Sequence, residues 1–448
     1  MQRLRVCLVL VAAVSTADAD NKLPPCPIDS SPLIWHLYEI GAFDTGYDGT
    51  GVTIAHFDSG FPRNWDVYLP PDSVDETYAA GFGPLGRGSA ESDHGTPAFY
   101  GLDNGHSIWA AAFIVGLRTP PDIEAQYGVG PCAAGVATGA RILPIRVYAR
   151  GDAYGDDPNE LEWVAEGYRY IANLKRRGAF PGGIIINASF GFEHRSDEQD
   201  RHVIEAVDDA IDAGVILVAA AGNEGPGEDT VGGLPGRLDQ MISVGAAGFT
   251  GEKAFAEDPL WFLSYEDPPF FPQLTPPVYV AGFSSRGAPV DLIAPGAWVA
   301  FPSLASSGRG VNGYSRLTPP PTIAGAGSSF AAPHVSGVVA LMLEKNPTLR
   351  QADVACILKR SALPIPDSPS GVWTSLADEQ DAGYDADGPP FSAWYEAHVG
   401  PPCPTSEPCA IVPPWGATAT GAGLVQAKAA LALTPLPGEP LLCDGAQP

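Results

Sequence analysis

The chain has 448 residues and a formal net charge of −27, from 52 acidic and 25 basic side chains. A field of that sign repels nucleic acid and anionic lipid, so neither is expected as a partner. Hydrophobic residues make up 45% of the chain, enough for a sizeable core. Beyond the N-terminal segment no stretch approaches the ~18 uninterrupted apolar residues of a membrane span, so no membrane association is expected of the mature protein.

In chain order, Arg3 and Arg5 precede an apolar run, Val6 to Val14, and then Ala17-Asp18-Ala19. That order describes a secretory signal peptide over residues 1–19, with a mature chain from about Asp20 that is secreted (extracellular or periplasmic). Cys7 leaves with it. Cys26, Cys132, Cys356, Cys403, Cys409 and Cys443 remain, an even set suited to disulfides whose pairing stays open. No Cys-x-x-Cys occurs to suggest zinc, and no Asp-x-Asp-x-Asp-Gly loop marks calcium.

Short apolar runs then alternate with helix-like segments. Gly51 to Asp58, Arg141 to Tyr148, Gly183 to Ala188, Gly214 to Ala220 and Met241 to Gly245 read as buried strands. Asn159 to Arg177 and Asp200 to Ala213 read as helices. This alternation predicts an α/β fold: a mostly parallel central sheet flanked by helices on both faces. One domain is expected over 20–433, with surface insertions at about 62–105, 249–280 and 364–414, and a Pro-rich tail at 434–448. A monomer is expected.

Residues 325–334, Gly-Ala-Gly-Ser-Ser-Phe-Ala-Ala-Pro-His, place a serine at the first turn of an apolar helix. Unsatisfied amides and the positive end of the helix dipole favour an oxyanion there, which makes Ser329 a nucleophile candidate. Such a serine needs a base and an orienting carboxylate. Asp58 and Asn223 both end apolar strands, where the working residues of parallel sheets gather.

Three segments, in the order Asp, His, Ser, resemble the subtilisin-like serine proteases. Val52-Thr53-Ile54-Ala55-His56-Phe57-Asp58-Ser59-Gly60 looks like that family's strand ending in Asp-(Ser/Thr)-Gly. Gly327-Ser328-Ser329-Phe330-Ala331-Ala332-Pro333-His334-Val335-Ser336-Gly337 resembles its serine motif, with His334 a packed helix residue. Leu217 to Gly225 resembles the strand that delivers an oxyanion-hole asparagine, here Asn223. The resemblance spans roughly residues 45–433 and is weaker to the sedolisins.

Two histidines compete for the base. Asp93-His94-Gly95-Thr96 matches the family's His-Gly-Thr, but the chain breaks soon after at Asp103-Asn104-Gly105. His106 opens a continuous apolar run, Ile108 to Gly116, as the family's buried helix requires. His106 is preferred and His94 stays the alternative.

The resemblance implies a secreted serine endopeptidase acting on polypeptides, with Asp58 as orienter, His106 as base and Ser329 as nucleophile. Ile186-Asn187-Ala188-Ser189-Phe190-Gly191 resembles the edge segment that pairs with an extended substrate. A first specificity pocket would be walled by Ser189, Phe190, Gly191, Ala220, Ala221 and Gly222, with Gly232 near its base and Glu224 at its rim. No cofactor is needed for the chemistry, and structural calcium is admitted. The stretch from Asp20 to Asp58 leaves no room for a pro-domain of the family's usual size. Alternative functions are a catalytically impaired peptide-binding pseudoenzyme, or a transpeptidase using an amine in place of water.

Overall fold

The computed structural model describes residues 35–83, 99–101, 105–118, 132–148, 159–249, 278–302, 315–317, 322–367, 372–374, 410–412 and 415–440, apart from positions 71, 193, 195, 226, 228, 298 and 326. The signal segment, His94 and much of the three expected insertions therefore lie outside the described residues.

Eight strands form the main sheet: β1 (Thr53–Asp58), β2 (Ala80–Gly81), β3 (Arg141–Arg146), β4 (Ile184–Ala188), β5 (Ile216–Ala220), β6 (Ile242–Phe249), β7 (Val278–Val280) and β8 (Val290–Pro295). Their spatial order is β8-β6-β5-β4-β1-β3-β2. These strands run parallel, while β7 pairs antiparallel with the end of β6. Near-continuous Val, Ile, Leu and Ala in β4 and β5 suit strands buried on both faces, and every residue of these two and of β1 is buried.

Helices supply the two covering layers: α1 (Trp35–Glu39), α2 (His106–Val115), α3 (Glu160–Arg176), α4 (Asp197–Asp212), α5 (Ser328–Lys345) and α6 (Gln351–Ser361). Alternation along β1 sorts the layers. Phe57 packs on Tyr168 of α3, while His56 and Asp58 face the side of α2 and α5. Helix α4 begins at an N-cap serine, Ser196, which accepts the Gln199 amide. Helix α2 is buried along its whole length and α5 over most of its own. Their Ala, Gly and Ser residues let two apolar helices lie close against each other and the sheet.

The expected α/β architecture is the observed one. One expected insertion differs in part: within 62–105 the short run Ala79 to Phe82 is buried, and β2 pairs with Ile145 and Arg146 as the sheet's edge. Two residues of strand are too few to leave a periodic signal in sequence.

Candidate active site

Asp58 is the last residue of β1, so its carboxylate emerges at the carboxyl edge of the sheet. It is buried and densely solvated by protein donors. Oδ1 accepts the Ser59 amide at 2.6 Å, the Ser59 hydroxyl at 3.0 Å and the Tyr148 hydroxyl at 3.0 Å. Oδ2 takes Nδ1 of His106 at 2.8 Å. Burial pushes the Asp58 carboxyl up. The charge and hydrogen bond of His106, the nearby His56 ring and the Ser59 amide outweigh that and hold it well below the usual carboxylate range.

His106 opens α2, immediately after Gly105 in the left-handed region at φ +74°. A residue with a Cβ would be strained there, so glycine lets the chain turn sharply into the helix and fixes where the imidazole starts. The following residue, Ser107, donates its hydroxyl to Gly60 O, tying the start of α2 to the loop after β1. With Nδ1–H donated to Asp58, Nε2 is left as the basic nitrogen.

Ser329 is the second residue of α5. First-turn amides have no intrahelical acceptor, so its N–H is available to an anion. Phe330, the next residue, places its ring 5.7 Å from the His106 ring and 5.8 Å from Phe113 of α2, which locks the two helix starts together. Asn223 follows β5 and is exposed. Its Oδ1 accepts the Ser328 amide at 2.8 Å, while the Ser328 hydroxyl accepts the Gly222 amide at 3.1 Å. The side-chain oxygen is thereby committed and Nδ2 is turned outward. A Cβ placed on Gly327 would lie 3.7 Å from both Asn223 Nδ2 and the Ser329 amide nitrogen. The two donors therefore converge on one space that glycine keeps clear, the arrangement an oxyanion needs.

The pocket residues divide. Gly191 and Gly232 are exposed, and a Cβ at Gly232 would meet nothing within 4 Å. Ala220 and Ala221 are buried small walls. Ser189 and Phe190 turn their side chains inward: the Ser189 hydroxyl accepts from Asn187 at 2.8 Å, and Phe190 packs at 5.5 Å on Tyr148 and 5.3 Å on Phe192. These two can offer substrate only their backbone. Phe192 and Leu234 exchange backbone hydrogen bonds, which brings Gly191 against Gly233. The Glu224 carboxylate folds over Gly222 and accepts the Ser285 hydroxyl.

His334 is a packed helix histidine, with Nδ1 donating to Phe330 O at 2.6 Å and Nε2 against His36 Nδ1 at 2.7 Å. Burial pulls it down to about 4. Two residues that touch Asp58 escape a sequence reading, His56 and Tyr148. His56 carried a usable signal: a histidine two positions before the aspartate, in an otherwise apolar strand, must share its face. Tyr148 carried none, because its approach depends on the bend after β3. Among the described residues no group of three or more His, Cys, Asp or Glu could hold a metal ion, and no helix is long and apolar enough to cross a membrane.

The chain is similar to known proteins in sequence and in fold. The family model for peptidase S8, the subtilase family, matches residues 49–387, so the chain belongs to the subtilase family. Pyrolysin of Pyrococcus furiosus is 32% identical over 329 residues, covering 66% of this chain and 22% of pyrolysin. Alkaline elastase YaB of a Bacillus species is 27% identical, covering 71% of this chain and 61% of that protein. This chain thus spans less than two thirds of the length of these relatives. Among solved structures, fervidolysin of Fervidobacterium pennivorans, a keratinolytic enzyme related to subtilisin, aligns with a TM-score of 0.52 at 23% identity, over 90% of this chain and 46% of that one. MycP1 with its N-terminal propeptide removed aligns at 0.50 with 20% identity, over 91% and 98%. These structural likenesses concern the fold alone.

Proposed function

We propose that this protein is a secreted serine endopeptidase in which Ser329 attacks the peptide carbonyl, His106 moves the proton and Asp58 orients His106. The observation that carries the reading is the 2.8 Å contact between His106 Nδ1 and Asp58 Oδ2, at the start of a helix packed on the one that bears Ser329. His106, rather than His94, is then the base.

In this mechanism Ser329 Oγ adds to the scissile carbonyl as its proton passes to His106 Nε2. The imidazolium is stabilised by Asp58, which stays ionised because its own donors and His106 hold it so. The carbonyl oxygen takes negative charge between the Ser329 N–H and Asn223 Nδ2. Collapse breaks the C–N bond, and His106 returns the proton to the leaving amine. Water, deprotonated by His106, then hydrolyses the acyl-enzyme.

For substrate, the open floor at Gly232 and the small walls Ala220 and Ala221 support a pocket for large apolar side chains. The Glu224 carboxylate at the rim extends this to Lys and Arg. Secretion is proposed from Met1 to Ala19, and disulfides from the even cysteine set.

The test is chemical labelling together with paired histidine mutants. Phenylmethylsulfonyl fluoride should add to Ser329 in the folded protein, and absence of that adduct overturns the reading. His106→Ala should abolish peptide hydrolysis while His94→Ala leaves it substantially intact; the reverse result moves the base to His94. N-terminal sequencing of protein recovered from the culture medium checks cleavage after Ala19.

A further inference from the structure

Asp58 has a second histidine beside it. His56 lies two residues earlier on β1, on the same face of the sheet, and is fully buried. Its Nε2 stands 3.6 Å from Asp58 Oδ2, the oxygen that also holds His106, and the Ser107 backbone at the start of α2 is a further group acting on the ring. The other ring nitrogen, Nδ1, is 3.2 Å from Asn187 Nδ2. That contact follows from register, since His56 and Asn187 are direct partners in the β1–β4 ladder.

The tautomer can be argued from these contacts. Asn187 Nδ2 can only donate, so His56 Nδ1 accepts, and a neutral ring then carries its proton on Nε2, aimed at Asp58. Asn187 is itself fixed: Nδ2 also donates to Ser189 Oγ, and Oδ1 accepts the Ser336 hydroxyl at 2.8 Å. Ser336 lies two turns beyond Ser329 on α5. A buried polar chain therefore runs from the nucleophile's helix through Asn187 and His56 to the carboxylate.

We propose that His56 is a positioning residue for catalysis: as the Nε2–H tautomer it holds Asp58 Oδ2 in place for His106 and couples that carboxylate, through Asn187 and Ser336, to the helix that carries Ser329. It touches neither substrate nor reacting atoms. At 3.6 Å the contact is longer than a full hydrogen bond, so it steers the carboxylate by electrostatic attraction more than it drains charge from it. A valine or leucine would fill the same space without steering anything.

The role requires an uncharged ring, and the surroundings keep it so. Burial lowers His56 to about 4, against the smaller opposing pull of Asp58. The charged or titratable groups that face it are Asp58 on its own strand and His106 from α2. Strand β4 presents Asn187, α5 presents Ser336, and the β3 partner is Pro144, none of which titrates. Above about pH 4 the ring is neutral and directs Asp58; below that it becomes a cation competing with His106 for the same oxygen.

This inference rests on the proposed roles of Asp58, His106 and Ser329, and its test separates the two. His56→Leu removes the N–H while keeping volume. We expect kcat to fall about tenfold with KM unchanged, as the carboxylate loses its fixed orientation. The acid limb of kcat/KM should rise by ~0.5 pH unit, because His106 alone then shares Oδ2. His56→Gln offers an amide N–H toward Asp58 and an oxygen to Asn187, and should return both values toward the parent enzyme. Equal kinetics in the Leu, Gln and parent proteins, or equal losses in Leu and Gln, overturn the proposal.

Nitrogen-15 histidine spectra of the full-length Ser329→Ala protein, which cannot digest itself, give a measurement independent of turnover and of any His56 variant's folding. Protonated Nε2 and bare Nδ1, persisting from pH 8 to 5, support the proposal; an Nδ1–H tautomer, or an imidazolium at pH 6, overturns it. If the parent enzyme cleaves no peptide, the proposed function fails while these spectra still decide the state of His56.

Discussion

The two sides of the cleft are built on opposite principles. On the Asp58 side the carboxylate is dry and held: three donors on Oδ1, His106 on Oδ2, and a chain of buried amides and hydroxyls behind. On the Ser329 side the working groups are backbone amides and an exposed asparagine, arranged around glycines that leave room. The difference follows from the tasks. A carboxylate that must stay ionised and aligned gains from low dielectric and fixed donors. A nucleophile and its oxyanion site must admit a peptide, so side-chain bulk is removed and the protein's own backbone supplies the hydrogen bonds.

The largest way to break this comparison is to remove one working group from each side. Ser329→Ala and His106→Ala should each lower kcat by ~10⁴-fold or more, because the triad acts as a unit. The double variant should be no worse than either alone. Active-site titration and single-turnover cleavage of a peptide check this, and additive losses would mean that the two sides work independently.

Next in size is the oxyanion donor. Asn223→Ala should cost ~10²–10³-fold in kcat with little change in KM, since Nδ2 meets the substrate oxygen only as charge develops. Asn223→Asp should be as poor, because Oδ1 is already committed to the Ser328 amide and the outward group becomes an acceptor.

The buried half should also be the half that fails in acid. His56 and His334 both lie near 4 in the folded chain, below the ordinary 6.5. The unfolded chain therefore binds protons that the folded chain refuses as pH falls from about 6.5 to about 4, so stability is fully present above that window and declines through it. Asp58, depressed below its ordinary range, adds a further loss at still lower pH. Urea unfolding of the Ser329→Ala protein at pH 7 and pH 4.5 should differ by a few kcal/mol, and replacing His334 by a buried apolar residue should flatten that dependence.

The smallest effects lie at the margins of each side. Tyr148→Phe removes one of three donors from Oδ1 and should lower kcat severalfold, about 1 kcal/mol. Glu224→Gln removes the rim charge and should reduce kcat/KM severalfold for Lys and Arg substrates while leaving large apolar ones unchanged, as a partly exposed charge does little more. A matched substrate series reads out the second directly.

Much of the serine side was legible in the primary structure because its parts are local. A glycine-serine turn entering an apolar helix, and an asparagine after an apolar strand, declare their geometry within about ten residues. The pocket was less legible. Ser189 and Phe190 stand beside it in sequence, yet strand alternation and the aromatic partners Tyr148 and Phe192 turn them inward. Gly191 and Gly232, with no side chain to turn, are both exposed.

By itself the sequence determined the alternating α/β architecture and marked Ser329, Asp58 and Asn223 as candidates, because each is written as a periodic element with a distinctive end. Only the tertiary structure decided that His106 meets Asp58, that Tyr148 crowds the same carboxylate, and that Asn187 links His56 to the serine helix. Those are contacts between residues 48, 90 and 131 positions apart. They depend on strand register and on how two apolar helices settle against one face of the sheet, and no local pattern encodes either.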